Sequence, residues 1–200
     1  MNACFQPSRR RFLQQSLLSL PVLSALSWTS EAQNRYGIVG QQAPEIFASH
    51  WIDVAGKETD FSMSEVTGKW VYLKCFQNWC PACHQYGFPA LQKFTKAFEN
   101  ETRVVPLAVQ TVFEGFGTNS QDKVAELQRR YNLPIKMGHD AGQSNAAERS
   151  LTMQRYRTGG TPWVVIIDPS GQVVYNDYHL DVSKLIGFIK ENLAAASKPT

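Results

Sequence analysis

The amino-acid sequence predicts an α/β fold in which helices cover both faces of a mixed central β-sheet. Two observations indicate this fold. Short segments rich in β-branched and aromatic residues alternate with segments of helical periodicity, and a tight turn separates the last two strands. The chain has 200 residues, of which 43% are hydrophobic and 12% aromatic. It is long enough to bury the core of one domain and too short for two ordinary domains with a linker.

The first predicted strand covers residues 70–76, which read Trp-Val-Tyr-Leu-Lys-Cys-Phe, and a second strand covers 103–109. Between them, apolar residues recur at steps of three and four and predict one buried helix face: Phe88, Leu91, Phe94 and Phe98. Thr118 and Gln121 have the spacing of a capping box ahead of a second amphipathic helix, which Pro134 ends.

The last part of the domain is predicted to hold a third helix over 146–156 and a strand over 163–167. That strand is continuously apolar and therefore suited to burial on both faces. Residues 168–171 form a turn, and 172–175 form the returning strand of a hairpin. Asp181 is the predicted N-cap of a final helix, whose apolar face is Val182, Leu185, Ile186, Ile189 and Leu193.

Residues 1–32 are predicted to be an export signal and not part of the fold. Three arginines at 9–11 precede Phe-Leu, a short apolar run follows at 17–26, and the small residues Ser30 and Ala32 provide an exit site. Paired arginines followed by Phe-Leu are typical of a twin-arginine signal, which exports folded proteins. An ordinary basic signal and an uncleaved membrane anchor are the alternatives. We expect a periplasmic or otherwise extracytoplasmic protein, in a compartment where disulfides persist.

The charge distribution excludes nucleic acid as a partner. The first 32 residues contribute +2 to a formal net charge of +3, because three arginines face only Glu31, so the remainder carries +1. A domain with a net charge so close to zero lacks the excess of positive charge that binding to a polyanion requires. We interpret residues 33–42 as a linker and 43–198 as the single folded domain.

The motif Cys-Pro-Ala-Cys at 80–83 lies directly between the first strand and the first helix. With Cys80 as the N-cap and Pro81 as the first helical residue, the Cys80 sulfur faces unpaired backbone N–H groups and the positive end of the helix dipole. This environment predicts a pKa below the usual ~8.5 of a free thiol. Cys83 lies one turn deeper on the same side. We therefore predict that Cys80 attacks a disulfide and Cys83 resolves the mixed disulfide.

A second feature, Gly-Gly-Thr-Pro at 159–162, directly precedes the buried strand. A proline at the start of a strand, after two glycines, is suited to a cis peptide bond. Such a bond would present the backbone of Thr161 beside the two cysteines.

Together these motifs resemble the exported thioredoxin-like proteins of the redoxin superfamily related to AhpC/TSA, and the chain is most similar to their TlpA/ResA group. The resemblance rests on Trp-Cys-Pro-x-Cys after a strand, a proline in the next helix, Gly-x-Pro before an apolar strand, and Ile-Asp-x-x-Gly at the hairpin. It covers Ala43 to the C-terminus. It implies a thioredoxin fold with an N-terminal β extension, Cys80 as nucleophile and Cys83 as resolving thiol. It also implies Pro162 as the cis-proline beside the substrate and Thr161 as the residue whose backbone pairs with a bound peptide.

The implied partners are the thiols and disulfides of protein clients and an electron donor in the membrane, with no metal or organic cofactor. Trp79 is interpreted as a platform for the substrate beside the sulfur, with a plain packing role as the alternative. Pro81 and His84 are candidates for tuning the thiol pKa values, and we expect His84 to be an exposed residue of the first turn.

The sequence departs from the group at two positions. Pro89 comes one residue later than is usual in the helix, so we expect a bulged first turn. Lys74 stands where many thioredoxins carry a buried aspartate, so the usual proton acceptor is absent. If Lys74 faces the cysteines, its ammonium favours the thiolate and a more oxidising disulfide, and if it faces solvent it does neither.

The cysteines allow several other interpretations. A purely structural disulfide across one turn closes almost no loop and stabilises little, and a zinc site lacks a second pair of ligands at suitable spacing. Residues 80–84 also spell the Cys-x-x-Cys-His motif of a c-type haem protein. A peroxiredoxin-like peroxidase is the nearest rival, but Gln77 stands where those enzymes place threonine. Cys75, inside the strand, is interpreted as a small buried hydrophobic residue, with a third redox role as the alternative.

Overall fold

The computed structural model describes residues 35–142 and 149–197. Its strands are β1 (His50–Ile52), β2 (Glu58–Thr59), β3 (Trp70–Phe76), β4 (Val104–Thr111), β5 (Lys136–Asp140), β6 (Trp163–Ile167) and β7 (Val173–Asp177). Its α-helices are α1 (Phe88–Ala97), α2 (Asp122–Arg130), α3 (Leu151–Tyr156) and α4 (Val182–Ala196). A 3-10 helix covers Met63–Val66, and a π-helical turn, Cys83–Gly87, runs directly into α1. The predicted signal at 1–32 lies outside the described residues. Within them, no helix is both long and apolar enough to span a bilayer.

In the described part of the chain, seven strands form one sheet in the order β2-β1-β5-β4-β3-β6-β7. The central strands β3, β4 and β5 are parallel, and the remaining pairs are antiparallel. The mixed sheet predicted from the sequence is therefore confirmed. Strands β1 and β2 extend it at the β5 edge and form the N-terminal β extension.

The sheet separates two apolar cores. One core joins the sheet to α1, α2 and α4, and it contains Cys80 and Cys83. The other lies on the opposite face and includes Tyr156 of α3 and Val66 of the 3-10 helix. Helices thus cover both faces, and the Cys80–Cys83 motif belongs to the face that carries α1.

The predicted elements from residue 70 onward are largely confirmed. Strand β3 has its predicted bounds, β6 is completely buried, and Asp181 caps α4 by accepting hydrogen bonds from the N–H groups of Ser183 and Lys184. The predicted capping box is wrong. Helix α2 begins at Asp122, and the Thr118 hydroxyl instead donates to the carbonyl oxygen of Gly115 in the preceding loop.

The third helix is shorter than expected. It begins after Ser150, whose hydroxyl accepts from the N–H of Met153, and residues 143–148 lie outside the described part. Strand β5 was not predicted. Its sequence, Lys-Met-Gly-His-Asp, has few β-branched residues, yet it is paired on both edges.

Residues 35–42, the C-terminal part of the expected linker, pack against the domain. The N–H of Gly37 donates to the carbonyl of Arg157, and Ile38 is buried in the second core. The N–H of Gly40 donates to the carbonyl of Val173, at the start of β7. These contacts tie the segment to the side of the sheet that carries β6 and β7.

Candidate active site

Strand β3 places two chemically different side chains on opposite faces of the sheet. Successive residues of a strand point to opposite faces. Tyr72 and Phe76 lie in the core with Cys83, whereas Cys75 lies in the other core. Lys74, between Tyr72 and Phe76 in the alternation, shares the face of Cys83 and is only 2% exposed. Lys74 therefore lies beneath the helix that carries Cys80 and Cys83 and not in solvent.

The first cysteine occupies the start of that helix. Residues 81 and 82 are already helical, so Cys80 directly precedes the first turn. The backbone N–H of Cys83 donates a hydrogen bond to the Cys80 sulfur at 3.2 Å. Cys80 is 4% exposed and Cys83 is fully buried. Pro81, the first helical residue, is exposed and has no N–H that would need a partner.

The helix that carries the cysteines contains one extra residue in its second turn. Over Cys83–Gly87 the backbone is π-helical, and the N–H of Phe88 donates to the carbonyl of Cys83, five residues earlier. A π turn accommodates one more residue than an α turn. A bulge is therefore present, as the late position of Pro89 predicted, but it lies in the second turn and not in the first, and it places Gly87 against Lys74 of β3.

The two thiols have opposite electrostatic environments. Hydrogen bonds from the Cys83 thiol, the Thr161 side chain and the Cys83 backbone lower the pKa of Cys80 to about 6. Donating to the Cys80 sulfur and being buried raise the pKa of Cys83. The N–H of Gln77 hydrogen-bonds to the Cys83 sulfur and offsets part of that rise. Cys80 is thus a thiolate at neutral pH, whereas Cys83 holds its proton.

The loop at 159–162 is distant from the cysteines in sequence but contacts Cys80 in the fold. The Thr161–Pro162 peptide bond is cis. The Thr161 side chain hydrogen-bonds to Cys80, and Pro162 lies near Gly87, with its Cβ 3.3 Å from the point where a Cβ on Gly87 would lie. The structure therefore brings together the predicted residues Cys80, Cys83, Thr161 and Pro162.

His84 is partly buried, which corrects the expectation of an exposed residue. Its Nε2 lies 2.5 Å from the carbonyl oxygen of Asn78, and its Nδ1 lies 2.7 Å from the hydroxyl of Tyr131. The side chain is held because the helix start packs against the end of α2. The charge of His84 is one of the influences that lower the pKa of Cys80.

Trp79 stands beside the cysteine motif with 44% of its surface exposed. Its indole nitrogen approaches the Gly115 loop, at 3.0 Å from the position of a Cβ on Gly115. A buried amide, Asn119, ties that loop to the motif. It donates to the side-chain oxygen of Gln77 at 3.0 Å and accepts from the N–H of Asn78 at 2.7 Å. The Trp79 ring is therefore exposed, and the hydrogen bonds of Asn119 hold the backbone beside it in place.

Sequence reasoning missed four residues of this site: Gly87, Asn119, Tyr131 and Tyr178. Tyr178 supports the loop at 159–162 through a hydrogen bond to Gly159. Only Gly87 could have been predicted from the sequence, because it follows Cys83 by four residues and residues at that spacing share one face of a helix. The other three are distant in sequence from the residues that they contact.

The geometry argues against the haem and zinc interpretations. Cys83 is buried in the core, and both ring nitrogens of His84 are engaged by Asn78 and Tyr131, so neither group faces a space for a porphyrin. Among the described residues, no group of three or more His, Cys, Asp or Glu side chains could hold a metal ion.

Cys75 is separated from Cys80 and Cys83 by the sheet. It is fully buried, it belongs to the core on the other face, and burial raises its pKa to about 12. This is the environment of a packed, unreactive thiol, as one of the two interpretations of the sequence predicts.

The model of the AhpC/TSA family matches residues 39–176. No curated protein matches the sequence. Among solved structures, a thioredoxin-like superfamily protein is 27% identical with a TM-score of 0.67, and the match covers 79% of this chain and 99% of that one.

Two further solved structures are similar in fold. A thiol-disulfide isomerase from Corynebacterium glutamicum has 22% identity and a TM-score of 0.64, with 78% of this chain and 98% of that chain covered. A reduced 2-Cys peroxiredoxin from Plasmodium vivax has 17% identity and a TM-score of 0.59, with 80% and 99% covered. The domain therefore has the thioredoxin-like fold that the resemblance implied.

Proposed function

Because the chain belongs to the AhpC/TSA family and has a thioredoxin-like fold, we propose that it is a thiol–disulfide oxidoreductase acting on protein clients through Cys80 and Cys83. One observation carries this proposal. The Cys80 sulfur accepts hydrogen bonds from Cys83 and from Thr161, while Cys83 lies buried directly behind it. An activated thiolate backed by a protonated second thiol is the arrangement that disulfide exchange requires.

The proposed reaction has two steps. The Cys80 thiolate attacks one sulfur of a client disulfide, forms a mixed disulfide, and expels the other client sulfur as a thiolate. Cys83 then loses its proton and attacks the Cys80 sulfur, which closes the Cys80–Cys83 disulfide and releases the second client thiolate. The client disulfide gains two electrons, and the two enzyme thiols lose them. Oxidation of client thiols uses the same steps in reverse.

Clients are proposed to bind over the edge of the site formed by Trp79, Thr161 and Pro162. Trp79 offers an exposed ring beside the cysteine motif, and the Thr161 side chain hydrogen-bonds to Cys80. An extended client segment that pairs with the Thr161 backbone would bring its disulfide to the sulfur of Cys80.

Reduction of insulin disulfides with dithiothreitol as electron source tests the function. The wild-type protein should accelerate the reaction, Cys80→Ser should abolish it, and Cys83→Ser should accumulate a covalent client adduct that a reductant releases. Cys75→Ser is the matched control, because Cys75 lies on the other face of the sheet, and its activity should match the wild type. Retained turnover in Cys80→Ser would refute the assigned roles.

Peroxide reduction is the competing activity, since the fold is shared with a 2-Cys peroxiredoxin. The residue three positions before Cys80 is Gln77, and its side-chain oxygen is engaged by Asn119 and not turned to the sulfur. We therefore expect peroxide consumption with a dithiol donor to be slow compared with insulin reduction. A rapid peroxide reaction that is lost in Cys80→Ser would favour the peroxidase.

The proposed site of action is outside the cytoplasm, with a membrane protein that returns electrons to the Cys80–Cys83 disulfide. The support is the sequence of residues 1–32, with its paired arginines and short apolar run. Expression of the full chain followed by fractionation tests this proposal. Wild-type protein should leave the cytoplasm, and joint substitution of Arg9→Lys and Arg10→Lys should retain it there. Equal distribution of both would contradict export by the twin-arginine route.

A further inference from the structure

A buried lysine lies beneath the active-site helix, where disulfide exchange needs a base. Resting on the function proposed above, we propose that the amine of Lys74 accepts the proton of the Cys83 thiol when Cys83 resolves the mixed disulfide. Cys83 is buried in the core. A buried thiol that must ionise needs a nearby acceptor, because water does not reach it.

The placement of Lys74 is set by the missing side chain of Gly87. A Cβ on Gly87 would lie 2.9 Å from Cε and 3.2 Å from Nζ of Lys74, which is closer than side chains pack. Gly87 ends the π turn that begins at Cys83, so the two residues lie about one turn apart on the helix. The amine therefore occupies a space beneath the turn that a side chain at position 87 would crowd, and Cys83 is the group that most strongly opposes the lowering of its pKa.

The electrostatic surroundings make Lys74 a base. Burial lowers the pKa of its ammonium to about 8, and the groups that oppose this effect are Cys83, Cys75 and Cys80, in that order. The strand partners of Lys74 are Ala108 on β4 and Val164 on β6, which carry no charge. Because no carboxylate is ion-paired with the ammonium in the described structure, a neutral amine is accessible near physiological pH.

The chemistry of the first step strengthens the base. In the reduced protein the Cys80 thiolate raises the pKa of Lys74. When Cys80 forms the mixed disulfide, that negative charge disappears, so the ammonium releases its proton more readily, and the client thiolate expelled beside Cys80 takes it up as it leaves. The amine is thus freed when Cys83 must be deprotonated.

The second step balances in protons and electrons. Cys83–SH and Lys74–NH₂ become Cys83–S⁻ and Lys74–NH₃⁺. The Cys83 thiolate then attacks the Cys80 sulfur, the Cys80–Cys83 bond forms, and the bond to the client breaks. The client sulfur leaves as a thiolate and is protonated by water. Two enzyme sulfurs are oxidised, and one client disulfide is reduced.

Stopped-flow reaction of the reduced protein with one equivalent of 5,5′-dithiobis(2-nitrobenzoic acid) separates the two steps. Attack by Cys80 releases the first coloured nitrothiobenzoate, and resolution by Cys83 releases the second. We expect Lys74→Met to leave the first phase nearly unchanged and to slow the second on the order of 10²-fold, the typical contribution of a positioned base. The mixed disulfide, detected by mass spectrometry, should accumulate in that variant.

The pH profile separates a base from a packing role. In the wild type the second phase should rise with pH as Lys74 loses its proton and level off once the amine predominates. In Lys74→Met it should continue to rise into the alkaline range, because only the ionisation of Cys83, whose pKa is raised, then controls it. Equal slowing of both phases, or a wild-type profile in Lys74→Met, would overturn the inference.

A second variant tests the same idea while retaining the lysine. Gly87→Ala should displace the amine and slow the second phase selectively, whereas Gly187→Ala on α4, where a Cβ meets no atom within 4 Å, should match the wild type. Unchanged second-phase rates in Gly87→Ala contradict the proposed position of the amine. If the wild type itself releases only the first nitrothiobenzoate, the proposed function fails. If it releases both and the Lys74 and Gly87 variants match it, only the inference fails.

Discussion

The hydroxyl of Tyr178 donates a hydrogen bond to the carbonyl oxygen of Gly159 at 2.6 Å, and this contact fastens the loop before Pro162 to the segment after β7. The Tyr178 ring also packs edge-on against Trp163, with ring centroids 4.3 Å apart. A Cβ on Gly160 would lie 2.7 Å from the same hydroxyl, so the second glycine of the loop is needed for the contact. One tyrosine thus fixes the loop that carries the hydrogen bond from Thr161 to Cys80.

Substitution of Tyr178→Phe removes this hydrogen bond and keeps the ring. We expect the free energy of unfolding in urea to fall by about 1 kcal/mol. The pKa of Cys80 should rise, because Thr161 is less firmly held. Tyr178→Ala should cost more, because the packing on Trp163 is lost as well. Identical unfolding midpoints for Tyr178→Phe and the wild type would show that the hydrogen bond contributes nothing.

The lowered pKa of Cys80 predicts a specific pH dependence of its alkylation. The thiolate fraction increases as pH rises through about 6, so the rate with iodoacetamide should be half-maximal there and constant above neutral pH. His84→Gln should shift the midpoint to higher pH, because it removes one of the influences that lower the pKa. A midpoint near that of a free thiol would contradict the described environment.

The hydroxyl of Thr161 should affect the redox potential of the pair. Hydrogen bonding to the Cys80 thiolate stabilises the reduced form, so we expect a wild-type potential above ~−270 mV, the value typical of a reducing thioredoxin. Thr161→Val should lower the potential and raise the pKa of Cys80. Thr95→Val on α1 is the control, because that buried hydroxyl has no hydrogen-bond partner among the described residues. Equal shifts in both variants would contradict a specific role for Thr161.

Asn119 should be a main contributor to the stability of the site. Its amide donates to Gln77, Glu114 and Gly115 and accepts from the N–H of Asn78. Asn119→Ala leaves the buried side-chain oxygen of Gln77 without a partner and removes the acceptor of the Asn78 N–H, so we expect a loss of about 2–3 kcal/mol in the free energy of unfolding.

The control for that loss is Asn100→Ala at an exposed turn, which should change stability by less than about 0.5 kcal/mol. Stopped-flow thiol reactivity of Asn119→Ala should also show a slower first phase, because Asn78 and the cysteine motif lose their support. A fully stable Asn119→Ala protein would contradict this account.

The sequence predicts the parts of the fold whose residues are mostly apolar, β-branched or aromatic. Strands β3 and β6 are completely buried, and their apolar runs are unmistakable. Strand β5 escapes prediction because its burial depends on a distant contact. Gly138 has no side chain, and a Cβ there would lie 2.7 Å from that of Ala48 and 3.1 Å from the Trp51 ring. A glycine that weakens the strand pattern is what allows the N-terminal segment to pack.

In the candidate site, too, the sequence predicts the local contacts and not those between distant segments. The spacing of Cys80 and Cys83 and the helix start around them are local, so the sequence reveals both the pair and the asymmetry between the two thiols. The fit of Lys74 to Gly87 combines the alternation of a strand with a bulge in a helix. The engagement of His84 by Tyr131 depends on where α2 ends. Such contacts exist only once the elements are assembled.

The alternation of β3 makes the chemistry of this protein sensitive to strand registry. Lys74 and Cys75 are adjacent in the chain, yet they face opposite cores. A slip of one residue during assembly would exchange them, which would put the Cys75 thiol behind Cys80 and Cys83 and the Lys74 ammonium into the apolar core on the other face. Correct pairing of this strand with β4 and β6 thus keeps the Cys75 thiol on the opposite face of the sheet from Cys80 and Cys83, where it cannot exchange with them.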